Sequence, residues 1–314
     1  MTSSDIYMTP KVIRNKKTLL SEQATGLSES TIWQGDVEKF LSYFDASKNP
    51  VNLVVTSPPY NIGKEYEQRK SLNEYLEWQE NIIRKVVCCV ADGGSVCWQV
   101  GNYIENGHIV PLDIELHPIF RSLGLKLRNR IVWRFGHGLH SKKRFSGRYE
   151  MVLWYTKGDS YTFNLDDVRV DSKYPAKRHY KGPKAGTVSS NPKGKNPEDV
   201  WEEFAGDLWK IPNVKANHIE KTEHPCQFPV GLVDRLTLAL TNENDLIFDP
   251  FMGVGTTGVS AALRNRKFIG CELSSSYVKL AEKRIEEAFS GNAKFRPHDK
   301  PIYDHTQSKL SIKP

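Results

Sequence analysis

The chain has 314 residues, 39% of them hydrophobic and 11% aromatic, so it can bury a sizeable core in one large domain or two modest ones. Lys and Arg number 44 against 37 Asp and Glu, and the resulting charge of +7 mildly favours a polyanionic partner. The absence of any run of 18 apolar residues excludes a membrane-spanning helix. Because the five cysteines form no CxxC pair and no secretory signal is present, we expect no zinc or other metal site, no disulfide framework, and a cytoplasmic location.

The first half of the chain alternates between strand and helix patterns. Residues 1–30 lack sustained periodicity, so we predict a flexible N-terminal arm and place the start of regular structure at Thr31. Asp92-Gly93-Gly94 is expected to end the long helix that precedes it. The predicted elements are, in order, strand TIWQGD, helix VEKFLSYF, a strand at residues 51–55, a helix at residues 72–91 and strand SVCWQVG.

The rest of the chain continues this alternation around one irregular segment. A short helix, IELHPIFRSLGL, precedes two apolar strands, RNRIVWRF and YEMVLWYT, which are expected to pair antiparallel. After residue 225 a helix, a strand, a glycine loop, a helix, a strand and a long helix capped by Ser274 follow. This order predicts an α/β fold with a doubly wound, mostly parallel sheet. The predicted parts are a catalytic half (31–156), an insertion (157–222), a cofactor-binding half (223–289) and a C-terminal tail (290–314).

The predicted insertion differs from its surroundings in charge. Seven lysines and arginines fall in residues 173–195, which contain no acidic residue and are interleaved with Tyr174, His179 and Tyr180. Such a run is either a solvated loop or a surface that binds phosphates and bases. On the second interpretation, the predicted DNA contacts are Lys177, Arg178 and Lys181.

The glycine loop DPFMGVGTTG follows a predicted strand and opens a helix. Glycine at Gly253 and Gly255 permits positive φ and a close approach of a ligand to the backbone. Glu272 ends the next strand, where a carboxylate can accept the hydroxyl protons of a ribose. The pattern fits a dinucleotide or S-adenosylmethionine. Asp249, just before Phe251, favours the second, because a carboxylate can face an ammonium group but repels a pyrophosphate.

A second motif, TSPPY, ends the strand at residues 51–55. The ligands of a doubly wound sheet bind at the carboxyl ends of its strands, which is where this motif lies. Pro58 and Pro59 fix φ and remove N–H donors, so the Pro58 carbonyl and the Ser57 hydroxyl can point outward as acceptors. Acceptors suit an exocyclic amino group, whose lone pair is conjugated into a base ring. Tyr60 supplies a flat face on which a flipped base can stack.

These motifs resemble those of the DNA amino-methyltransferases that use S-adenosylmethionine. TSPPY is similar to their catalytic motif and DPFMGVGTTG to their first cofactor motif. Because the catalytic motif comes first, the order resembles the β group, a circular rearrangement of the methyltransferase sheet. The likeness covers roughly residues 31–156 and 224–289.

The resemblance implies further roles. It implies that Asp36 contacts the cofactor adenine, that Glu272 binds the ribose, and that HPCQFP (224–229) lies near the methionine end. It also implies a base-flipping enzyme that acts on duplex DNA, with a companion restriction endonuclease as functional partner and a homodimer as a further expectation. The predicted catalytic residues are Ser57, Pro58, Pro59 and Tyr60, and the predicted cofactor-binding residues are Asp36, Asp249, Phe251, Gly253, Gly255 and Glu272.

Three alternatives compete with this interpretation. Cytosine C5-methyltransferases use a cysteine in a Pro-Cys-Gln setting, as at Cys226, but they also need an ENV element that this chain lacks. We therefore interpret Cys226 as a small packing residue. RNA or protein amide methyltransferases usually carry the two motifs in the opposite order. A DNA-binding protein without catalytic activity would need neither the acceptor loop nor the cofactor half-site.

Two features of the catalytic motif favour different target bases. In the family that this chain resembles, a serine at the position of Ser57 favours methylation of cytosine N4. The continuation NIG after the motif is instead similar to the sequence of adenine N6 enzymes. The sequence is interpreted narrowly in favour of adenine N6, with cytosine N4 as the alternative.

Overall fold

The computed structural model describes residues 8–61, 63, 69–135, 140–202, 211–215, 218–298 and 300. Within them, strands of one nine-stranded sheet run in the order β1-β2-β11-β10-β3-β4-β8-β7-β9, and β5 pairs with β6 separately. The strands are β1 (Lys11–Ile13), β2 (Ser30–Gln34), β3 (Val51–Thr56), β4 (Val90–Val100), β5 (Asn102–Glu105), β6 (His108–Pro111), β7 (Lys126–Arg134), β8 (Tyr149–Thr156), β9 (Val200–Glu202), β10 (Leu246–Asp249) and β11 (Lys267–Glu272).

Helices cover both faces of this sheet, as expected for a doubly wound fold. Along β3, Val54 faces one apolar cluster while Leu53 and Val55 face the other, which is the period of two that a doubly buried strand requires. The first four helices pack on the Val54 side and the last three on the opposite side. The helices are α1 (Lys16–Thr25), α2 (Val37–Tyr43), α3 (Leu72–Cys89), α4 (Leu112–Ser122), α5 (Val230–Leu240), α6 (Thr256–Leu263) and α7 (Ser275–Phe289).

The strand order reverses between β10 and β3. The chain leaves β10 through α6 to reach β11 on one side, and leaves β3 through α3 to reach β4 on the other. These strands are parallel, so their carboxyl ends meet at one edge of the sheet. Such a switch point is where open α/β sheets bind ligands. The predicted α/β architecture is confirmed, including the antiparallel pairing of β7 with β8.

The N-terminal segment corrects the predicted start of regular structure at Thr31. β1 pairs in parallel with β2, and Asn15 caps α1 by accepting a hydrogen bond from the backbone N–H of Thr18. Leu19 of α1 is fully buried against the core. A three-residue edge strand and a helix of mixed polarity give too weak a periodic pattern for sequence to detect. Residues 1–7 of the predicted arm lie outside the described residues.

The glycines after α3 also behave differently from the prediction. The helix ends at Cys89, and Gly93 and Gly94 belong to β4. The backbone N–H of Gly93 donates to the carbonyl of Lys157 at 2.7 Å, and a Cβ on Gly93 would lie 2.5 Å from the carbonyl oxygen of Ser160. These glycines therefore admit a neighbouring chain segment instead of ending the helix. The hairpin of β5 and β6 was not predicted.

The insertion and the tail are only partly described. Residues 157–199 are largely irregular, with isolated bridges at Val170 to Lys195 and Arg178 to Val188. In the tail, His298 hydrogen bonds to the buried Asp234 at 2.8 Å. Residues 203–210, 216–217, 299 and 301–314 of these predicted parts lie outside the described residues. No helix in the described part of the chain is both long and apolar enough to cross a membrane.

Candidate active site

A cavity of about 520 Å³ opens where the carboxyl ends of β3 and β10 meet. It brings together eight of the ten residues predicted for catalysis and cofactor binding, although they are up to 236 positions apart in the chain, from Asp36 to Glu272. The predicted residues that line it are Asp36, Ser57, Pro58, Pro59, Tyr60, Phe251, Gly253 and Glu272.

The predicted catalytic loop, residues 57–60 (called the catalytic loop below), is held in place by α3. Tyr75 donates a hydrogen bond from its hydroxyl to the carbonyl of Pro59 at 2.9 Å, and Gln79 donates to Tyr75 in turn. The hydroxyls of Ser57 and Tyr60 lie 3.0 Å apart. These contacts fix a loop that the two prolines have already restricted in φ, so the Ser57 hydroxyl has a defined position at the cavity wall.

The next residue of the loop closes it. Asn61 adopts a left-handed conformation with φ of 61° and is almost fully buried. Its side-chain oxygen accepts from the backbone N–H of Lys70 at 2.7 Å, and its amide donates to the Lys70 carbonyl at 2.8 Å. Asparagine tolerates this conformation better than most residues. These bonds give Asn61 a role in shaping the loop, and Asn61 also lines the cavity.

The structure corrects the prediction for Asp249. The side chain is fully buried and turns away from the cavity. Its two oxygens accept hydrogen bonds from the Thr56 hydroxyl at 2.7 Å, the Thr257 hydroxyl at 2.6 Å and the backbone N–H of Phe251 at 3.1 Å. Burial raises the pKa of this carboxyl to about 6, against the effect of those hydrogen bonds. Asp249 thus joins β3 to the glycine loop and does not line the cavity, where the prediction had placed it.

The two predicted glycines have different surroundings. Gly253 has φ of 53°, and a Cβ there would approach the His224 ring to 3.3 Å at the cavity wall. Gly255 has φ of 76°, but a Cβ there would lie 2.8 Å from the Cβ of Ala281 in α7. Gly255 therefore permits close packing of α7 against the start of α6, and the structure does not bring it to the cavity lining.

Glu272 and Asp36 meet because β2 and β11 are parallel neighbours. Gln34 is in register with Glu272, and the backbone N–H of Gly35 donates to the Glu272 carbonyl at 2.9 Å. The Glu272 carboxylate accepts from the backbone N–H of Ser274, and the Asp36 carboxylate caps α2 at Lys39. Burial raises the pKa of Glu272 to about 7. A half-buried carboxylate at a strand end is suited to accept hydroxyl protons.

Aromatic side chains complete the cavity, and the sequence analysis missed two of them, Trp78 and Tyr277. The Trp78 ring of α3 lies 5.6 Å from the Phe251 ring, and the His224 ring lies 4.8 Å from the Tyr277 ring. Burial lowers the pKa of His224 to about 4, so its ring is neutral at pH 7. Aromatic faces and a neutral imidazole suit a cationic sulfonium group. Trp78 falls within the predicted helix at residues 72–91, but no short motif signals its contact with Phe251.

Comparisons with known proteins decide the family. A family model described as DNA methylase matches residues 51–283, which contain both the catalytic loop and the glycine loop. The chain belongs to this DNA methylase family. It is 44% identical over 284 residues to the Type II methyltransferase M.BglII of Bacillus subtilis, covering 90% of this chain and 76% of that protein. It is 30% identical to the DNA adenine methyltransferase YhdJ of Escherichia coli (strain K12), covering 84% of this chain and 85% of that protein.

Solved structures agree with the fold of this methylase. The PvuII DNA methyltransferase, described as cytosine-N4-specific, superposes with a TM-score of 0.60 at 20% identity, covering 82% of this chain and 90% of that one. A DNA modification methylase of Thermus thermophilus, complexed with S-adenosyl-L-methionine, gives a TM-score of 0.58 at 25% identity, covering 83% of this chain and 94% of that one. The predicted family, fold class and motif order are confirmed.

The interpretation of Cys226 as a packing residue is wrong. Its side chain is exposed and lines the cavity together with its neighbours Gln227 and Phe228. The backbone N–H of Cys226 donates to the His224 ring at 3.2 Å, so the PCQ segment is shaped by His224.

The three predicted DNA contacts lie on the exposed insertion, away from the cavity lining. Residues 177–189 fold back on themselves, with hydrogen bonds between His179 and Thr187 and between Ser189 and Lys177. Lys177 and Arg178 border a surface depression that also contains Tyr174 and Tyr180, whose side chains are 69% and 96% exposed. Exposed tyrosines beside cations form a surface suited to nucleic acid.

Proposed function

We propose that this methylase transfers a methyl group from S-adenosylmethionine to the exocyclic amino group of a base flipped out of duplex DNA. One observation carries this proposal: the acceptor loop with Ser57 and the half-site with Glu272 line the same cavity at the switch point of the sheet. Methyl transfer to an amino group requires both elements at one place.

Each side chain contributes a separate part of the proposed reaction. Bound S-adenosylmethionine supplies an electrophilic methyl group on a sulfonium. The Ser57 hydroxyl and the Pro58 carbonyl accept the two amino protons, which withdraws the nitrogen lone pair from conjugation and directs it outward. Tyr60 offers a face that compensates part of the stacking lost on flipping.

Other cavity residues hold the cofactor in this proposal. Glu272 would accept the ribose hydroxyls and Asp36 would contact the adenine, since both line the cavity and the strands that precede them are parallel neighbours. Trp78 and Phe251 give an apolar, aromatic wall against the sulfonium. The residues present therefore fit the cofactor, and Asp249 supports them from behind.

The target base is the finer part of the proposal. The sequence preference for adenine N6 depends on the NIG continuation, but both polar ends of the Asn61 side chain bond to the Lys70 backbone. Asn61 therefore has a role in shaping the loop, whichever base is used. Ser57 lines the cavity next to Tyr60 and carries the remaining signal, which favours cytosine N4 in the family. We place cytosine N4 first and adenine N6 second.

DNA recognition is proposed for the insertion. Lys177, Arg178 and Lys181 would contact phosphates, and the adjoining loops would contact base edges. The similarity to the Type II methyltransferase M.BglII supports a role in protecting a short site from a companion restriction endonuclease.

The test is to incubate the protein with tritiated S-adenosylmethionine and, in parallel, duplex DNA, RNA and a protein mixture. We expect label in duplex DNA and its loss in Ser57→Ala, with Ser290→Ala, at the end of α7, as a matched control that keeps activity. Label in RNA or protein but not in DNA would overturn the proposed substrate.

A further inference from the structure

A half-buried carboxylate lies directly behind the catalytic loop. Glu150, near the start of β8, accepts a hydrogen bond from the Gln99 amide at 2.5 Å and one from the Tyr60 hydroxyl at 3.4 Å. The second distance is at the long end of the range for a hydrogen bond between two oxygens. Among the described residues, Glu150 is not one of those that line the cavity. It therefore reaches the cavity only through Tyr60.

The Tyr60 ring is held in place for this contact. A Cβ on Gly101, at the end of β4, would lie 3.1 Å from the Tyr60 ring and 3.8 Å from the Glu150 Cγ. A side chain at Gly101 would therefore press on the Tyr60 ring, whereas its contact with Glu150 would be an ordinary one. The Tyr60 hydroxyl is thereby fixed between Ser57 at 3.0 Å and Glu150 at 3.4 Å. One continuous row of hydrogen bonds thus runs from the cavity wall into the sheet, through Ser57, Tyr60, Glu150 and Gln99.

The charge environment of this row is simple. Burial raises the pKa of the Glu150 carboxyl, while hydrogen bonds from Gln99 and Tyr60 oppose that rise by stabilising the carboxylate. Tyr75 from α3 and Cys226 from the loop before α5 are the further titratable groups of the described chain that act on Tyr60. No Lys, Arg or His side chain in the described part of the chain contributes to the pKa shift of Glu150. Protonation of Glu150 would remove the free-energy cost of keeping its negative charge away from water.

The proposed reaction produces a proton that the catalytic loop cannot keep. When the amino nitrogen takes the methyl group it becomes cationic and must lose one N–H proton. A carboxylate in the position of Ser57 could take that proton directly. A serine hydroxyl cannot hold it, because it can accept a proton only by passing on its own.

We propose that Glu150 is the final acceptor of this proton, through a relay along Ser57 and Tyr60. The target N–H bond breaks as its proton moves to the Ser57 Oγ. The Ser57 hydroxyl proton moves to the Tyr60 Oη, and the Tyr60 hydroxyl proton to the Glu150 Oε2. The nitrogen keeps the bonding electron pair, both hydroxyls are restored, and Glu150 ends neutral. Glu150 acts through another residue and is thus a positioning residue, and the relay rests on the proposed function.

The test is single-turnover methyl transfer at saturating S-adenosylmethionine across pH 5 to 9. Glu150→Gln keeps the shape of the side chain but cannot take a proton, so we expect the transfer rate to fall about 10²-fold. The wild-type rate should decline at acid pH as Glu150 becomes protonated, and this acid limb should vanish in the variant. Binding constants for cofactor and DNA should stay within about twofold, which separates the relay from a binding defect.

Three further variants and one control sharpen the result. Tyr60→Phe keeps the stacking face but interrupts the relay, so it should match Glu150→Gln, and the double variant should lose no more than either alone. Glu150→Asp should restore part of the rate and the acid limb. Glu115→Gln changes an exposed carboxylate of α4 and should leave both unchanged.

Each other outcome counts against the relay. A Glu150→Gln variant that keeps the wild-type rate, or loses rate but keeps the acid limb, would reduce Glu150 to a structural support of Tyr60. Additive losses in the double variant would have the same meaning. A wild-type protein that places no label in DNA would instead overturn the proposed function, and the relay with it.

Discussion

The cavity and the insertion of this methylase are held in place in opposite ways. Around the cavity, buried side chains fix each loop: Asp249 joins Thr56 to Thr257, and Tyr75 supports Pro59. In the insertion, short backbone contacts fold residues 177–189 while the side chains of Tyr174 and Tyr180 stand exposed. Chemistry at one fixed point needs the first arrangement, and adaptable contact with a long polyanion needs the second. The predicted effects of substitution should differ accordingly.

The largest expected effect is that of Ser57→Ala. Removing the proposed acceptor at the cavity wall should lower the transfer rate about 10²- to 10³-fold, as loss of one oriented hydrogen-bonding group does in other active sites. Cofactor affinity, measured by isothermal titration, should change less than about twofold. Equal losses in rate and cofactor affinity would mean that the loop shapes the cavity as a whole.

Next is the stability effect of Asp249. Its pKa is raised to about 6 from 3.8, so its stabilising contribution is fully present below pH 3.8 and is lost as pH rises through about 6. The shift of about two units corresponds to roughly 3 kcal/mol. Thermal unfolding of wild type and Asp249→Asn should therefore show a Tm difference that changes between pH 4 and pH 7 in favour of the variant. A difference independent of pH would contradict the buried position of this carboxyl.

Glu272 should control cofactor affinity. Its pKa is about 7, and an ionised carboxylate accepts hydroxyl protons better than a neutral one, so affinity for S-adenosylmethionine should rise between about pH 6 and pH 8. Glu272→Gln should weaken binding about 10- to 100-fold at pH 8 and remove this rise. In binding titrations at a series of pH values, the affinity of Glu272→Gln for S-adenosylmethionine should not change with pH. A variant that keeps the wild-type slope would assign the titration to another group.

The smallest effect should come from the insertion. Neutralising Lys177, Arg178 and Lys181 together should weaken duplex binding roughly 10-fold at moderate salt and lower the slope of log affinity against log salt by up to about 3. Methyl transfer at saturating DNA should be unchanged. The matched control is a triple variant of Lys39, Lys267 and Lys279, which lie outside the insertion. If the salt dependence of duplex binding stays unchanged in the variant, residues 173–195 are a solvated loop and not a DNA-binding surface.

The comparison also explains what sequence could predict. TSPPY and the glycine loop are short motifs that each follow a strong strand pattern, so their position at the carboxyl ends of two strands was predicted correctly. The direction of the Asp249 side chain was not, because it depends on Thr56, which is 193 positions away. Glu150 was missed for the same reason, since 90 positions separate it from Tyr60. β1 and α1 were missed because the stability of both comes from packing on β2 and the core, as the burial of Leu19 indicates.

The most direct test of the central claim is the identity of the methylated nucleoside. Duplex DNA of mixed sequence would be incubated with the wild-type protein and labelled S-adenosylmethionine, digested to nucleosides, and separated by chromatography. An acceptor loop built on Ser57 predicts label on an exocyclic nitrogen, with N4-methylcytosine expected first and N6-methyladenine second. Label in 5-methylcytosine would contradict the amino-transfer chemistry, because attack at a ring carbon has no use for the Ser57 acceptor.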